Sequence, residues 1–185
     1  MKSLLKDKTA LAMLVIVAIV VVVVAVVGVG AYVLLTQNAG TTEENPTPTP
    51  TEGTPDVAGA SSLKYSVTYT EGGTETASYT YYGKNAGTDD FAMRIEYEDE
   101  NGEGILIFNG ATDEAWTYAD GEWLDLSDYF EAQFDSWETM WTGYVTGLGE
   151  WAGTGDYTYT SGDATVRIYD IQVNPALDDA LFTHS

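Results

Sequence analysis

The stretch "LKYSVTYTEGGTETASYTYYG", residues 63–83, decides the fold class because apolar and polar side chains alternate along it. One face of its first half carries large apolar side chains, and the other carries Lys, Ser and Thr. Such alternation is typical of a β-strand with one face in the core and one in water. "EGG" at 71–73 predicts a tight turn, after which the same period returns at Ala77, Tyr79 and Tyr81. The stretch therefore predicts an antiparallel hairpin.

The same period continues along the rest of the chain. Residues 91–97 place Phe, Met, Ile and Tyr at every second position. Dipeptides that supply the positive φ of tight hairpins separate the later strands, at Asn101-Gly102, Asn109-Gly110, Asp120-Gly121 and Ser161-Gly162. We therefore expect residues 62–185 to form a mainly β domain, built as an antiparallel meander of about eight strands.

One segment has helical spacing instead. Residues 127–148, "SDYFEAQFDSWETMWTGYVTGL", repeat apolar side chains every three or four positions, at Phe130, Phe134, Trp137, Trp141, Tyr144 and Leu148. Asp128 followed by Glu131 fits a capping box at the helix start. The pattern predicts one amphipathic helix that lies across the sheet with its aromatic face down.

The predicted sheet is too wide for one helix to cover. Eight strands span about 38 Å, whereas a helix with its side chains is about 10–12 Å across. The strands "ILIF" (105–108) and "VRIYDIQV" (166–173) are apolar on both faces and so require cover on both sides. We expect the sheet to curl around its helix as a half-barrel.

The N-terminal region predicts a membrane anchor. Residues 10–36 contain no charged side chain and exceed the roughly 20 residues that span a bilayer as a helix. The tail before it, residues 1–9, carries three Lys and one Asp, while only acidic residues follow closely on the other side, so the N-terminus is expected in the cytoplasm. This predicts a single-pass protein of the cell membrane with its C-terminal domain outside. A cleaved signal peptide and a pilin-like subunit are the alternatives.

Between the anchor and the β domain, residues 37–61 predict a tether. The segment is rich in Thr, Pro and acidic residues and contains nothing that could build a core. Pro-rich chains of this kind favour extended polyproline II, which acts as a semi-rigid spacer. The tether would hold the domain away from the membrane.

Charge limits the partners of the outer region. Outside the N-terminal tail, the chain carries four basic and 28 acidic residues, a formal balance of −24. Such a charge excludes nucleic acid as a partner. It also destabilises the compact state by self-repulsion unless salt or cations screen it. We therefore expect an exterior in which dissolved cations screen the domain.

Cysteine and histidine, which serve as nucleophiles, bases and zinc ligands, are almost absent, whereas carboxylates are abundant. The chain has no Cys, and its only histidine, His184, is one residue from the C-terminus, where we expect a frayed tail. Nucleophilic triads and zinc sites that use Cys or His therefore have no basis. We expect a non-enzymatic protein with no metal and no cofactor.

Aromatic side chains and two arginines are the candidates for ligand binding. Those on the strands could line the space that the curl leaves, and those on the helix could form a lid. The arginines lie within strands, where pairing with Glu96 or Asp170 competes with binding an anionic ligand group. The candidate set is Trp116, Tyr118, Trp123, Trp137, Met140, Trp141, Tyr144, Arg94 and Arg167.

Two segments resemble the periplasmic lipoprotein-carrier (LolA-like) family. "FAMRIEYEDENGEGILIFNGATDEAWTYADGEW" is similar to the family's Arg-bearing strand, glycine turn and Trp-x-Tyr strand, and "VRIYDIQVNPALDDALF" is similar to its final strand and terminal Phe. The resemblance covers roughly residues 90–126 and 165–182. It implies a half-barrel that binds a lipid, a lipoprotein acyl chain or another apolar ligand. The alternative is a structural or interaction protein of the cell envelope with a filled core and no ligand.

Overall fold

A computed structural model of the chain describes residues 55–99 and 102–184. The predicted cytoplasmic tail (1–9), the transmembrane helix (10–36) and the tether up to residue 54 lie outside these ranges. Within the described ranges, no helix combines the length and apolar character that crossing a membrane requires. The last part of the predicted tether, residues 55–61, packs against the domain, because Val57 and Ala60 are buried.

The prediction of a mainly β domain with eight antiparallel strands and one helix is confirmed. All eight strands belong to one sheet, and every pair of neighbours is antiparallel. The strands are β1 (Ser62–Glu71), β2 (Thr74–Lys84), β3 (Ala92–Asp99), β4 (Gly102–Asn109), β5 (Glu114–Ala119), β6 (Glu122–Asp125), β7 (Tyr157–Ser161) and β8 (Ala164–Val173).

The strand order is β6-β5-β4-β3-β2-β1-β8-β7, so only the first six strands form a simple meander. The chain leaves β6 at one edge of the sheet and enters β7 at the other. Helix α1 (Phe130–Gly147), with a 3₁₀ turn at each end (Ser127–Tyr129 and Leu148–Glu150), makes this connection. Its length suits the task, because 24 helical residues extend about 36 Å and seven strand spacings about 34 Å.

The two faces of the sheet follow the alternation in the sequence. The face toward α1, here called the helix face, carries the apolar residues of the central strands, including Tyr65 opposite Tyr81 and Met93 opposite Phe108. The hairpin at Asp120-Gly121 has φ values of 55° and 83°, the left-handed pair that a tight two-residue turn requires. The prediction for Asn109-Gly110 is wrong, because neither residue has a positive φ and Asp113, at the end of that longer turn, adopts it instead (54°).

The start of the helix differs from the predicted capping box. Tyr129 precedes α1 and makes no side-chain capping hydrogen bond, so the prediction based on Asp128 and Glu131 is wrong. Instead, the Ser127 backbone N–H donates to Asp125 Oδ1 at 2.9 Å, and the Ala115 N–H donates to Ser127 Oγ at 3.1 Å. The entrance to the helix is therefore fixed to β5 and β6.

The chain after β8 crosses the other face of the sheet, here called the tail face. Asn174, with φ 54°, turns the chain, and its Oδ1 accepts hydrogen bonds from the backbone N–H groups of Ser61 (2.9 Å) and Ser62 (3.3 Å). Phe182 then lies buried over this face, and Ile107 of β4 is only 1% exposed. The expected cover on both sides of "ILIF" is confirmed. The same expectation for "VRIYDIQV" is wrong, because Ile168 is the one buried residue of β8, which lies next to the edge strand β7.

Candidate functional site

The structure places the nine predicted site residues in two separate groups. Four lie on α1, buried against the helix face: Trp137, Met140, Trp141 and Tyr144. The other five lie on the tail face, as the strand registers show: Arg94, Trp116, Tyr118, Trp123 and Arg167. The thickness of the sheet therefore separates the strand aromatics from the helix aromatics, and the two groups do not line one common space.

Aromatic rings fill the contact between α1 and the helix face. Tyr65 and Tyr81, directly opposite each other on β1 and β2, stack with ring centroids 5.1 Å apart and planes 19° apart. Trp141 of α1 lies 5.3 Å from the Tyr65 ring, and Tyr144 lies 5.6 Å from the Tyr81 ring. Trp137 is 1% exposed and lies 6.5 Å from Tyr81. Each such pair adds about 0.5–1.5 kcal/mol beyond the area that it buries.

The aromatic layer continues toward the start of α1. Phe130 and Phe134 stack at 5.0 Å, and both contact Phe108 of β4 at 6.4 Å and 6.1 Å. Phe91, just before β3, links this end to Trp141 at 5.4 Å. One continuous layer of rings therefore follows the helix from β4 to β1.

A glycine makes the close approach of Trp141 possible. A Cβ atom on Gly83 would lie 2.3 Å from Trp141 Cη2 and 2.7 Å from Cζ2, well inside van der Waals contact. The indole thus occupies the space that the side chain of any residue other than glycine would fill at position 83. Gly83 fixes the position of the second half of α1 against the sheet.

Two buried hydroxyl groups interrupt this otherwise apolar layer. Tyr65 and Tyr81 are both 0% exposed, and neither Oη atom has a hydrogen-bond partner among the described residues. Burial raises the pKa of both phenols well above 10.0, and the nearby Tyr144 raises each further. The Tyr144 hydroxyl approaches that of Tyr81 closely enough to interact with it, although the two do not meet the geometry of a formed hydrogen bond. Burial likewise raises the pKa of Tyr144, and it raises that of Tyr79, with a smaller contribution from Asp99, to about 12. These phenols therefore stay protonated and neutral, able to donate a hydrogen bond.

The C-terminal segment covers the tail-face aromatics. His184 stacks on Trp116 with ring centroids 3.4 Å apart and planes 18° apart, and it meets the Trp123 ring edge-on at 6.2 Å. Tyr118 and Trp123 form a cross-strand pair, at 5.2 Å. The prediction that His184 belongs to a frayed tail is wrong, because an aromatic platform on β5 and β6 holds its ring.

Polar contacts fasten the same segment nearer β3. Arg94 Nη1 donates to the Leu181 carbonyl at 3.3 Å, and Lys84 forms an ion pair with Asp179. Phe182, between these contacts and His184, is 5% exposed. The segment 174–184 is thus an integral part of the tail face.

Both arginines are engaged by carboxylates. Arg94 contacts Glu96 Oε1 through Nε (2.9 Å) and Nη2 (2.8 Å), so this predicted partner is confirmed. Arg167 instead pairs with Asp156, at 2.8 Å and 2.6 Å, and its guanidinium lies 4.6 Å from the centre of the Tyr169 ring. Asp156 was missed because only the β7–β8 hairpin brings it beside Arg167.

Metal ligands do not converge in the described ranges. No group of three or more His, Asp or Glu residues there is placed to hold a metal ion.

Three residues important to the helix–sheet contact, Tyr65, Tyr81 and Gly83, were absent from the predicted set. The alternation of β1 and β2 assigned both tyrosines to the inner face, but it could not show that their hydroxyls would lack partners. Gly83 carries no sequence signal that separates it from a turn glycine.

Comparison with known proteins assigns this chain to no family. No protein-family model matches this chain, and no curated protein matches it significantly. The functional argument therefore depends on the geometry of the residues themselves.

Proposed function

We propose that residues 62–185 form a domain that binds a lipid or another apolar ligand between α1 and the helix face. An N-terminal transmembrane helix would hold it outside the cell membrane, with the N-terminus in the cytoplasm. The role is binding rather than catalysis, since the chain lacks Cys and its only His is stacked on Trp116. The resemblance of residues 90–126 and 165–182 to the LolA-like carriers supports this ligand class.

The observation that carries the proposal is how α1 is attached. Its Ser136, Thr139 and Thr146 hydroxyls donate to carbonyls of their own helix, at 2.7–3.0 Å. Ring contacts join the helix to the strands. Because apolar contacts are non-directional, an acyl chain could replace the sheet as the partner of the helix at little cost. This makes α1 suitable as a lid.

The two ends of α1 differ in how firmly they are fixed. The N-terminal end is bonded to β5 through Ser127, as described above. The C-terminal end leads into "AGTGD" (152–156), whose Gly153 and Gly155 have φ values of 85° and 73°. Only glycine adopts these values freely. We therefore expect the helix to open from its Trp141 end, with the glycine segment absorbing the change.

The proposal includes a half-barrel form of the sheet. Burial on the helix face supports it, because the buried residues extend farther along the strands than one helix can cover. Leu63, Tyr65, Val67 and Tyr69 of β1 are all buried on the helix face, and they extend about 20 Å along the strand. A helix that crosses the strands covers about 10–12 Å of that length. Curling of the sheet would bury the rest and would shape a groove beside the helix.

The alternative function is a structural or interaction module of the cell envelope with a permanently filled core. The fit of Trp141 over Gly83 favours it, since that contact leaves no space for a ligand while the helix is seated. The two functions differ in whether α1 leaves the sheet.

Quenching of tryptophan fluorescence can distinguish them. All five Trp residues lie in the outer domain, so fluorescence of the full chain in lipid nanodiscs reports on that domain alone. Methyl stearate brominated on its chain would quench indoles that it contacts, and unbrominated methyl stearate corrects for conformational effects. The variant with Trp116→Phe and Trp123→Phe removes the tail-face signal.

We expect saturable quenching that persists in this double variant and disappears when Trp137 and Trp141 are changed to Phe. Quenching that is absent, or that depends only on Trp116 and Trp123, would exclude ligand binding beneath α1. The filled-core module would then be the better account.

A further inference from the structure

We propose that the Tyr65 and Tyr81 hydroxyls form a polar subsite beneath α1 that receives the head of an uncharged amphiphile through its carbonyl or ether oxygen. This inference rests on the proposed function and specifies the class of ligand. It starts from two buried hydroxyls, neither of which forms a hydrogen bond of good geometry among the described residues, and beside which the Tyr144 hydroxyl lies.

Burial of these two hydroxyls without hydrogen bonds destabilises the folded state. Both residues are 0% exposed, and neither Oη atom has a hydrogen-bond partner among the described residues. A buried polar group without a partner costs about 1–3 kcal/mol, whereas Phe at either position would keep the ring contacts without this cost. Two adjacent unpaired phenols are therefore unfavourable in a core that serves packing alone.

Their placement suits a single ligand group. Tyr65 and Tyr81 are directly opposed on neighbouring strands, and their rings stack at 5.1 Å with planes 19° apart, so the two side chains extend side by side. Trp137, Trp141 and Tyr144 of α1 surround them with rings. A ligand oxygen that accepts from both phenols would place its apolar chain along these rings.

The charges around the subsite exclude an ionised head group. All four basic residues of the described ranges are on the tail face, as the strand registers place Lys64, Lys84, Arg94 and Arg167 opposite the helix face. Lys84, Arg94 and Arg167 are also paired with carboxylates there. A buried carboxylate or phosphate without a cation would pay a large desolvation cost. An anionic head is therefore excluded, and because the two phenols would donate, the head carries a neutral acceptor oxygen, as in an ester, an ether, a ketone or a quinone.

The test compares three brominated probes of equal chain length on the full chain in nanodiscs: an alkane, a methyl ester and a carboxylate. The variants are Tyr65→Phe, Tyr81→Phe and the double variant. The matched control is Tyr82→Phe, which removes a hydroxyl from the tail face, where it donates to Glu96 at 3.2 Å. Circular dichroism confirms that each variant is folded.

We expect each single variant to weaken ester binding about two- to tenfold, as the loss of one neutral hydrogen bond predicts, and the double variant to weaken it further. Alkane binding should weaken less than ester binding, because removing an unpaired hydroxyl stabilises the seated helix against every ligand but removes a hydrogen bond from the ester alone. Tyr82→Phe should bind all probes like the parent chain. Ester binding that is unchanged in the double variant would overturn the subsite while leaving apolar-ligand binding intact. A carboxylate that binds more tightly than the ester would overturn the neutral head group. Failure of all three probes to quench would refute the proposed function itself.

Discussion

Gly83→Ala would test most directly whether α1 is seated on the sheet as described. Gly83 lies in β2 beneath the Trp141 indole, and its φ lies outside the left-handed region. Alanine can adopt the backbone conformation there, so the substitution changes only the space under the ring. Any loss of stability would report on the helix–sheet contact.

The distance between the new Cβ and the Trp141 ring sets the size of the expected loss in the free energy of unfolding. The new Cβ would lie 2.3 Å from Trp141 Cη2, and carbon atoms in contact prefer about 3.5–4.0 Å. The ring must therefore withdraw by about 1.2–1.7 Å. Overpacking of a core by a methyl group costs about 1–3 kcal/mol. The lower conformational entropy of alanine in the unfolded chain returns about 0.4–1 kcal/mol. We expect the free energy of unfolding to fall by about 1–2 kcal/mol.

Urea unfolding followed by tryptophan fluorescence would measure this change. With a dependence on urea of about 2 kcal/mol per M, the middle of the usual range, the midpoint should fall by about 0.5–1 M. Gly149→Ala is the matched control, because a Cβ there would meet nothing within 4 Å, and we expect only the entropic gain of about 0.4–1 kcal/mol, which raises its midpoint slightly. An unchanged midpoint for Gly83→Ala, with an unchanged emission spectrum, would contradict the placement of Trp141 over Gly83.

Three further predictions concern the rest of the domain. Phe182→Ala should lower the free energy of unfolding by about 3–5 kcal/mol in a urea titration, since it empties a buried site on the tail face. His184→Ala should cost no more than about 1 kcal/mol, because this residue is exposed. Alkaline titration followed by tyrosinate absorbance should show a fraction of the tyrosines ionising only as the domain unfolds. Burial raises the folded-state pKa values of Tyr65, Tyr81 and Tyr79 above 10.0. The free energy of unfolding should therefore be at its full value below about pH 10 and fall above it. Free ionisation of every tyrosine at pH 10 in the folded protein would contradict their burial. The urea midpoint should rise between about 0.01 M and 1 M NaCl, because the Debye length shortens from about 30 Å to 3 Å around a region with a formal charge balance of −24. A midpoint that does not depend on salt would argue against self-repulsion.

Local patterns predicted the elements well because each depends on neighbours in the sequence. Alternation from Leu63 to Tyr81 gave the first hairpin and its buried face, and helical spacing from Phe130 to Leu148 gave α1. The glycine-containing dipeptide at 120–121 gave a turn of the expected backbone form. The pairing of Arg94 with Glu96 was also predictable, since residues two apart in a strand share a face.

The predicted binding residues do not form one group, because nearness in the sequence does not decide on which face of the sheet a residue lies. Trp116 lies close to the helix in sequence but on the opposite face of the sheet in space. Its position depends on the registers of β4 and β5, and a shift of one residue would reverse it. Asp156 beside Arg167 and His184 on Trp116 likewise depend on contacts between distant parts of the chain.

The sequence by itself determined the composition of each surface: an alternating strand has one apolar face, a helix has one aromatic stripe, and an excess of acidic residues must face water. These are properties of single segments, and a local period expresses them fully. Only the tertiary structure decided which surfaces meet. It sent α1 from one edge of the sheet to the other, placed Trp141 over Gly83, and buried the hydroxyls of Tyr65 and Tyr81 together without a formed hydrogen bond. The physical reason is that contact across a core depends on strand order and side-chain volume, which involve residues far apart in the chain and leave no periodic signal in either segment.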